Sequence, residues 1–437
     1  PACALLLLLL WSAQGSPARV RAQAVSRPEA STATAEGRLA LFEEVWQIIA
    51  VRYYDPSLVH LDWDAARERF RPRAVAARDE AEFYSVLRLM LAGLRDPHTR
   101  VYAPGESIAR GATRFVSVGL SVREVSGEVL VVHVERGSEA ERAGVRAGDE
   151  VLSVDGEAVS HILARRLAEQ TPEGDEAAAL EMRAPARRVS ASVIFNGASG
   201  TSLRAVFRDA RGRENSVSLR RELRVRVTEL KARRLRDRIG LVSFNGFTPE
   251  TAAQLARTLS TNLRDARGLI LDLRENGGGE SEAMTDAASI FLDPGLPLGR
   301  FTNRAGRVEI KPHTRTVMLS APDTLPRIRA PLVLLTSRRT ASAAEVFIAA
   351  LVEKGRARVV GEQTCGCVLG LRRRHQLPDG GSLDVSEMDF HTAAGTRLEG
   401  AGISPDEPLA PTREDLRAGR DRAVERATEI LKASIKR

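Results

Sequence analysis

Cysteine, lysine and aromatic residues are scarce in this chain of 437 residues. There are three cysteines, and aromatic residues make up 4% of the sequence. Two of the cysteines, Cys365 and Cys367, remain if the first residues are removed, which excludes a small fold held by a framework of disulfides. A C-x-C pair has too few ligands for a structural zinc site, and the histidines have no metal-ligand spacing, so we expect neither metal nor cofactor.

Long apolar runs are also missing, and the longest one extends from Ala4 to Trp11. A run of this length cannot cross a hydrocarbon core of ~30 Å, so no stable membrane span is expected. Small and polar residues follow it and end in Ala22-Gln23-Ala24. This order is typical of a secretory signal over 1–24 that is cleaved near Ala24, and it predicts a periplasmic or secreted protein.

The formal charge is +8, but the arginines that carry it are spread among many acidic residues. A nucleic-acid-binding surface would be expected to show a basic run interleaved with aromatic residues, and the sequence has no such run. The charge therefore indicates a solvated surface, and we expect no nucleic-acid partner. The length is enough for two or three domains, each with its own core.

The periodicity of apolar residues changes three times along the chain. Small polar residues at 25–36 predict a disordered lead-in. Apolar spacings of three and four predict a helical region over 37–103, and short apolar strands follow over 104–225. From Ile239 onward, apolar strands alternate with amphipathic helices, which predicts an α/β domain with a largely parallel sheet over 226–410 and a helix over 411–437. The fold class is therefore multidomain α+β.

The segment A-G-V-R-A-G-D-E-V-L-S-V-D-G at 143–156 ends in a strand and an Asp-Gly hairpin turn. It resembles a PDZ domain. In that family, backbone N–H groups of a loop hold the terminal carboxylate of a peptide, and a strand edge pairs with the peptide. The matching loop here contains Val118, Gly119 and Leu120. The charged segment 160–198 departs from a compact PDZ pattern and is expected to form an extended helix or loop.

Two segments of the α/β region resemble the C-terminal processing proteases. L-I-L-D-L-R-E-N-G-G-G at 269–279 is similar to the family's D-L-R-x-N-P-G-G turn, and T-A-S-A-A-E-V-F at 340–347 is similar to its S-A-S-A-S-E-I signature. The resemblance implies that Ser342 is the nucleophile and that the N–H groups of Gly278 and Ala343 form the oxyanion hole. Ser342 would begin a helix, so it could instead act only as an N-cap.

The lysine that this family uses as the general base is missing. Its position in G-E-Q-T-C-G-C at 361–367 is occupied by Cys367. The chain has five lysines, and Lys354 would lie ~18 Å from Ser342 at the far end of the same helix. Cys367 is a poor base as a thiol, and we expect Cys365 and Cys367 to be small hydrophobic residues or a redox-labile pair.

A histidine could replace the lysine. The related tricorn-like proteases pair their serine with a histidine that precedes the PDZ domain and with a late glutamate. The matching residues are His98 in L-R-D-P-H-T-R and Glu399 in L-E-G-A-G-I-S-P-D. Imidazole side chains can accept a proton at neutral pH, and a carboxylate can fix their tautomer. His98 could instead only close the helical region, and His375 and His391 remain further possible bases.

The resemblance implies a serine endopeptidase that binds proteins or peptides with exposed C-termini and cleaves them through an acyl-enzyme at Ser342. The alternative is an inactive pseudoprotease that keeps the PDZ groove and acts as a peptide-binding scaffold. The base at the active site distinguishes the two hypotheses.

Overall fold

The computed structural model describes residues 31–106, 112–169, 191–320, 323–324 and 327–436. The predicted signal at 1–24 and residues 25–30 of the predicted lead-in lie outside the described residues, and the described remainder of the lead-in already contains the start of a helix at Ala35, capped by Thr34, where disorder was predicted. Within the described residues, no helix has the length and apolar character needed to cross a membrane.

The first part of the chain is helical. Its elements are α1 Ala35–Arg52, the 3-10 helix Leu58–His60, α2 Trp63–Val75, α3 Glu80–Ala92 and the short strand β1 Arg100–Tyr102. Thr34, Asp62 and Asp79 cap the three α-helices by accepting a backbone N–H of the first turn. The apolar residues that repeat at helical spacing in α1 and α3 are buried against one another, as the periodicity predicts.

The second part is a β-domain with two helices. Its strands are β2 Ala112–Ser117, β3 Leu120–Val125, β4 Glu128–Val134, β5 Glu150–Val154, β6 Glu157–Ala158, β7 Ser202–Arg208, β8 Glu214–Arg220 and β9 Glu222–Val227, and its helices are α4 Glu139–Arg142, α5 Val159–Glu169 and the 3-10 helix Ala191–Phe195. One sheet has the order β3-β4-β5-β7-β8, and β2 pairs with β9 in a separate ribbon. Asp155 and Gly156 both have positive φ and form the predicted tight turn after β5.

The third part is an α/β domain. Its strands are β10 Leu230–Arg234, β11 Ile239–Phe244, β12 Gly268–Asp272, β13 Arg300–Asn303, β14 Val308–Ile310, β15 Met318–Ser320, β16 Asp323–Thr324, β17 Leu332–Thr336, β18 Arg358–Gly361, β19 Gly370–Gln376, β20 Ser382–His391 and β21 Glu407–Pro408. Its helices are the 3-10 helix Arg236–Arg238, α6 Pro249–Ser260, α7 Ser281–Ser289, α8 Ala343–Glu353, α9 Arg413–Ala418 and α10 Arg422–Ile435.

The central sheet of this domain has the order β10-β11-β12-β17-β18-β21, and all of its pairs except β10–β11 are parallel. Helices α6, α7 and α8 cover one face and α10 covers the other. Because both faces are buried there, the two central strands β12 and β17 are nearly continuous apolar runs without polar alternation. The multidomain α+β prediction is therefore confirmed.

A second sheet joins the helical part to the α/β domain. Strand β20 pairs with β1 at one end, with β13 at the other, and with β19 along its length. Since β1 begins two residues after His98, this pairing brings the end of the helical part to the α/β domain, more than 200 residues later in the chain.

The C-terminal region differs from the sequence prediction. Where one helix was expected over 411–437, the structure has α9 and α10, because Gly419 takes a left-handed conformation that ends α9 and Asp421 caps a new helix. Within the charged segment 160–198, α5 continues to Glu169 and the 3-10 helix Ala191–Phe195 packs against β3, whereas 170–190 lie outside the described residues. The domain boundaries themselves stay a prediction.

Candidate active site

Ser342 lies at the N-cap of α8, after the loop that follows β17. Its backbone has φ 56° and ψ −126°, a region that residues with a Cβ rarely adopt. Such a conformation costs about 1–3 kcal/mol and persists only where neighbouring groups fix it. The Ser342 N–H donates to the carbonyl oxygen of Cys367 at 2.8 Å and to the Glu345 carboxylate at 3.1 Å. The strained backbone of Ser342 is thus fixed by two acceptors that share its N–H.

Glu345 is fully buried in the first turn of α8. In addition to the Ser342 N–H, its carboxylate accepts from the Thr364 hydroxyl at 2.5 Å, the Gly366 N–H at 2.7 Å and the Cys367 N–H at 2.9 Å. Burial raises the pKa of Glu345, and the four donors oppose that rise. In the sequence, Glu345 stands out only as part of a motif, although an acid three residues after a helix N-cap is the signal for this capping contact.

The glycine turn after β12 lies directly against Ser342. Gly278 has φ 101°, and a Cβ at this position would lie 2.7 Å from the Ser342 Cβ and 3.0 Å from the Ala343 nitrogen. Only glycine allows this approach. The Gly278 N–H donates to the Asn276 side-chain oxygen at 2.9 Å. Ala343 is the first residue of α8, so its N–H has no acceptor four residues earlier within the helix.

His98 follows α3 and is anchored by Asp96, whose carboxylate is almost fully buried. Asp96 accepts from the His98 N–H at 2.8 Å and from the Thr99 hydroxyl at 2.5 Å, and its Oδ1 lies 3.6 Å from the His98 Nδ1. Burial by itself would raise the pKa of Asp96, but the hydrogen bonds and charge of His98 and the hydroxyl donors lower it. Asp96 is not among the residues predicted from the sequence, although it stands two residues before His98.

Glu399 lies in the turn after β20 and accepts the Val368 N–H at 2.7 Å. Burial raises its pKa to about 7, and the negative charge of Asp96 adds to this effect. His98 and Arg397 lower the pKa of Glu399 through their charge. The structure therefore places His98, Asp96 and Glu399 close enough for their charges to interact. Val368, which donates to Glu399, directly follows Cys367, whose carbonyl accepts the Ser342 N–H.

Cys365 and Cys367 form a disulfide. Of the two alternatives for these cysteines, small hydrophobic residues or a redox-labile pair, the structure has a bonded pair, and it lies at the position of the family's lysine. Cys367 is buried, and because its sulfur is bonded in a disulfide it cannot form a thiolate and act as the base.

The other histidines of the α/β domain lie on the second sheet. The Nε2 of His375 on β19 lies 2.7 Å from the Glu387 carboxylate, and His391 is the last residue of β20. In the described part of the chain, no group of three or more His, Cys, Asp or Glu side chains could hold a metal ion.

The predicted peptide-binding loop connects β2 and β3. Val118 and Leu120 are buried, and Gly119 has φ 77°. A Cβ on Gly119 would lie 2.5 Å from the Ser138 Cβ, so a side chain is excluded there. Strand β3 is at an edge of its described sheet, which leaves one side for a pairing strand.

Comparisons with known proteins agree with this architecture. Residues 238–409 match the peptidase family S41, residues 35–92 match the tricorn protease C1 domain, and residues 130–174 match the PDZ domain. The chain is 30% identical over 381 residues to the chloroplastic C-terminal processing peptidase of Tetradesmus obliquus, and the matched region covers 85% of this chain and 77% of the relative. It is 29% identical over 374 residues to the carboxyl-terminal-processing protease of Picosynechococcus sp., with 84% and 82% covered.

Solved structures show the same fold. The photosystem II D1 C-terminal processing protease has a TM-score of 0.53 and 25% identity, and the match covers 86% of this chain and 93% of that one. Mature CPAF has a TM-score of 0.62 with 16% identity over 91% and 97% of the two chains, which is a likeness of fold alone. Identity of 30% over 85% of this chain and 77% of the relative shows that this chain belongs to the C-terminal processing peptidases, a family of serine-type peptidases.

Proposed function

We propose that this peptidase cleaves exposed C-terminal regions of proteins or peptides through an acyl-enzyme at Ser342. The observation that carries this proposal is the close approach of Gly278 to Ser342 and Ala343 at the N-terminus of α8. A backbone without side chains beside a helix N-terminus leaves room for a substrate carbonyl and supplies N–H groups to its developing oxyanion.

In the proposed reaction, Ser342 Oγ attacks the scissile carbonyl while His98 takes the hydroxyl proton. The carbonyl oxygen then carries a negative charge that the Ala343 and Gly278 N–H groups stabilise. The Gly278 N–H donates to the buried Asn276 side chain in this structure, so that hydrogen bond must be released before the N–H can bind the oxyanion. His98 passes the proton to the leaving amine, and water then hydrolyses the ester by the same route in reverse.

Asp96 and Glu399 support His98 as the base. The Asp96 carboxylate lies 3.6 Å from Nδ1 of the ring, beyond hydrogen-bond distance, and would accept the Nδ1 proton if the two groups approach during the reaction. Glu399 supplies a second carboxylate that, when ionised, stabilises the imidazolium formed during attack. With Cys367 bonded to Cys365, the cysteine at the usual lysine position does not compete for this role.

The PDZ domain is proposed to capture the substrate's C-terminus. The N–H groups of the loop with Val118, Gly119 and Leu120 would bind the terminal carboxylate, and the β3 edge would pair with the tail. The pseudoprotease alternative gains no support, because the similar curated proteins are named peptidases and proteases.

Hydrolysis of casein by the purified mature chain tests this function. We expect hydrolysis by the parent and, at a lower rate because the disulfide is absent, by Cys367→Ala, and its loss in Ser342→Ala and His98→Ala. His133→Ala is the matched control, because His133 is exposed on β4 of the PDZ domain. Peptide binding without hydrolysis in the parent would support the scaffold hypothesis instead.

Export is proposed as well. The leader pattern ending at Ala24 supports it, as does the Cys365–Cys367 disulfide, since disulfides persist in oxidising compartments. Expression of the chain with its leader, cell fractionation and the intact mass of the product test this proposal. A product that keeps residues 1–24 in the cytoplasmic fraction would contradict it.

A further inference from the structure

The segment 364–368, here called the cysteine loop, contacts both halves of the candidate active site. Toward α8, its Gly366 and Cys367 N–H groups donate to Glu345, and its Cys367 carbonyl accepts the Ser342 N–H. Toward the histidine side, its Val368 N–H donates to Glu399. The loop is thus the connection between the serine and the carboxylate beside His98.

The disulfide of this loop closes around a single residue, Gly366. The entropy that a disulfide removes from the unfolded chain grows with the length of the loop that it closes, so this bond adds little to global stability. Its effect is local: it restricts the backbone whose N–H and C=O groups hold Glu345 and Ser342. Gly366 has φ 66°, and a Cβ there would lie 2.7 Å from the Gly402 nitrogen, so the loop is also packed tightly from outside.

The two cysteines differ in access. Cys367 is buried, whereas Cys365 is partly exposed. A soluble thiolate can therefore reach the disulfide from the Cys365 side, and exposed disulfides are the ones that take part in exchange. Cys367 occupies the position of the family's catalytic lysine, so the Cys365–Cys367 disulfide lies within the candidate active site.

We propose that the Cys365–Cys367 disulfide is a thiol–disulfide exchange site through which a dithiol reductant lowers the activity of this peptidase. A thiolate of the dithiol attacks the Cys365 sulfur, the bond between the two cysteines breaks, and the Cys367 sulfur leaves and takes up a proton. The second thiol then attacks the mixed disulfide, releases Cys365 as a thiol and leaves the reductant as a disulfide. Two electrons and two protons pass to the protein.

Reduction removes the restraint on the cysteine loop, so the Cys367 carbonyl no longer fixes the strained Ser342 backbone. The inference rests on the proposed function of Ser342. With dithiothreitol as the reductant, we expect casein hydrolysis to fall about tenfold, equivalent to ~1.4 kcal/mol of transition-state stabilisation, and to recover on reoxidation. A Cys365→Ser, Cys367→Ser double variant should show the same activity with and without the reductant.

Two further measurements keep this inference separate from the proposed function. Alkylation followed by mass spectrometry should show two more modified thiols per chain after reduction, and amide hydrogen exchange in 340–347 and 364–368 should become faster. Casein hydrolysis that depends on Ser342 but is unchanged or raised by reduction would overturn the inference and leave the proposed function standing. If neither the oxidised nor the reduced protein hydrolyses casein, the proposed function fails. Hydrogen exchange that is unchanged by reduction would then overturn the inference about the cysteine loop as well.

Discussion

Glu399 is a carboxylate held largely out of water beside a second carboxylate, Asp96. Its pKa of about 7 lies above the ordinary value of 4.5, so the folded protein binds this proton more tightly than the unfolded chain does. Stability therefore falls as the pH rises from about 4.5 to about 7, and the ionised form remains unfavourable above that range. The proposed mechanism requires this ionised form, so function and stability make opposite demands at this residue.

Glu399→Gln tests that conflict. At pH 8 the variant should unfold at a higher temperature than the parent, by an amount that corresponds to about 3 kcal/mol at most, and at pH 4 the difference should vanish. Above about pH 7 the kcat for casein should fall about tenfold or more, because the carboxylate beside the imidazolium is gone, and at lower pH, where Glu399 of the parent is protonated, the difference should shrink. Thermal unfolding and initial rates across pH 4–9 measure both effects, with the exposed Glu414→Gln as control. An unchanged pH dependence of stability would contradict the prediction.

At the scale of elements, the glycine turn and the start of α8 form the surface on which Ser342 lies. Gly278→Ala should lower activity at least a hundredfold, because the new Cβ would contact the Ser342 Cβ and because φ 101° is unfavourable for alanine. Gly277→Ala is the matched control, since a Cβ at Gly277 meets no atom within 4 Å and its φ is not positive. Casein hydrolysis and circular dichroism of both variants test the prediction. Equal loss in the two variants would show that the turn merely tolerates no side chain.

Glu345 makes the first turn of α8 dependent on the cysteine loop. Glu345→Ala should leave the Thr364 hydroxyl and the Gly366 and Cys367 N–H groups without this acceptor and lower the free energy of unfolding by about 3 kcal/mol or more. Glu353→Ala, an exposed glutamate at the other end of the same helix, should change it much less. Urea unfolding of the two variants gives the comparison, and similar midpoints would contradict a structural role for Glu345.

At the scale of the whole molecule, the PDZ domain is held to the α/β domain by ion pairs. Arg413 of α9 contacts Glu128 at 2.6 Å and Glu150 at 3.3 Å, and Arg123 of β3 pairs with Glu362 just after β18. Because β3 is the proposed peptide edge, these contacts would influence the direction in which a captured tail leaves the PDZ domain. The relative position of the two domains thus bears directly on which substrates reach Ser342.

Arg413→Glu tests this coupling by placing like charges beside Glu128 and Glu150. We expect proteinase K to cut the β9–β10 connection faster, and hydrolysis of proteins with free C-terminal tails to fall more than hydrolysis of short peptides. Arg426→Glu is the control, because Arg426 pairs with Glu407 and Glu429 inside the α/β domain. Equal rates on both substrate classes would indicate that domain position does not control access.

The sequence by itself determined the parts whose signals are local. Apolar periods of two and of three to four residues specify strands and helices, an Asp-Gly pair specifies a tight turn, and consecutive glycines beside a small-residue helix start indicate a backbone site at Ser342. Each of these depends on neighbours within a few residues, so each could be read without the fold.

Only the tertiary structure decided which distant residues meet. His98 and Glu399 are about 300 residues apart, and their proximity depends on the pairing of β1 with β20. The role of Glu345 depends on donors from the cysteine loop about 20 residues later, and the bond between Cys365 and Cys367 depends on how that loop turns. Contacts at long sequence separation arise from the packing of whole elements, and no short pattern of residues encodes that packing.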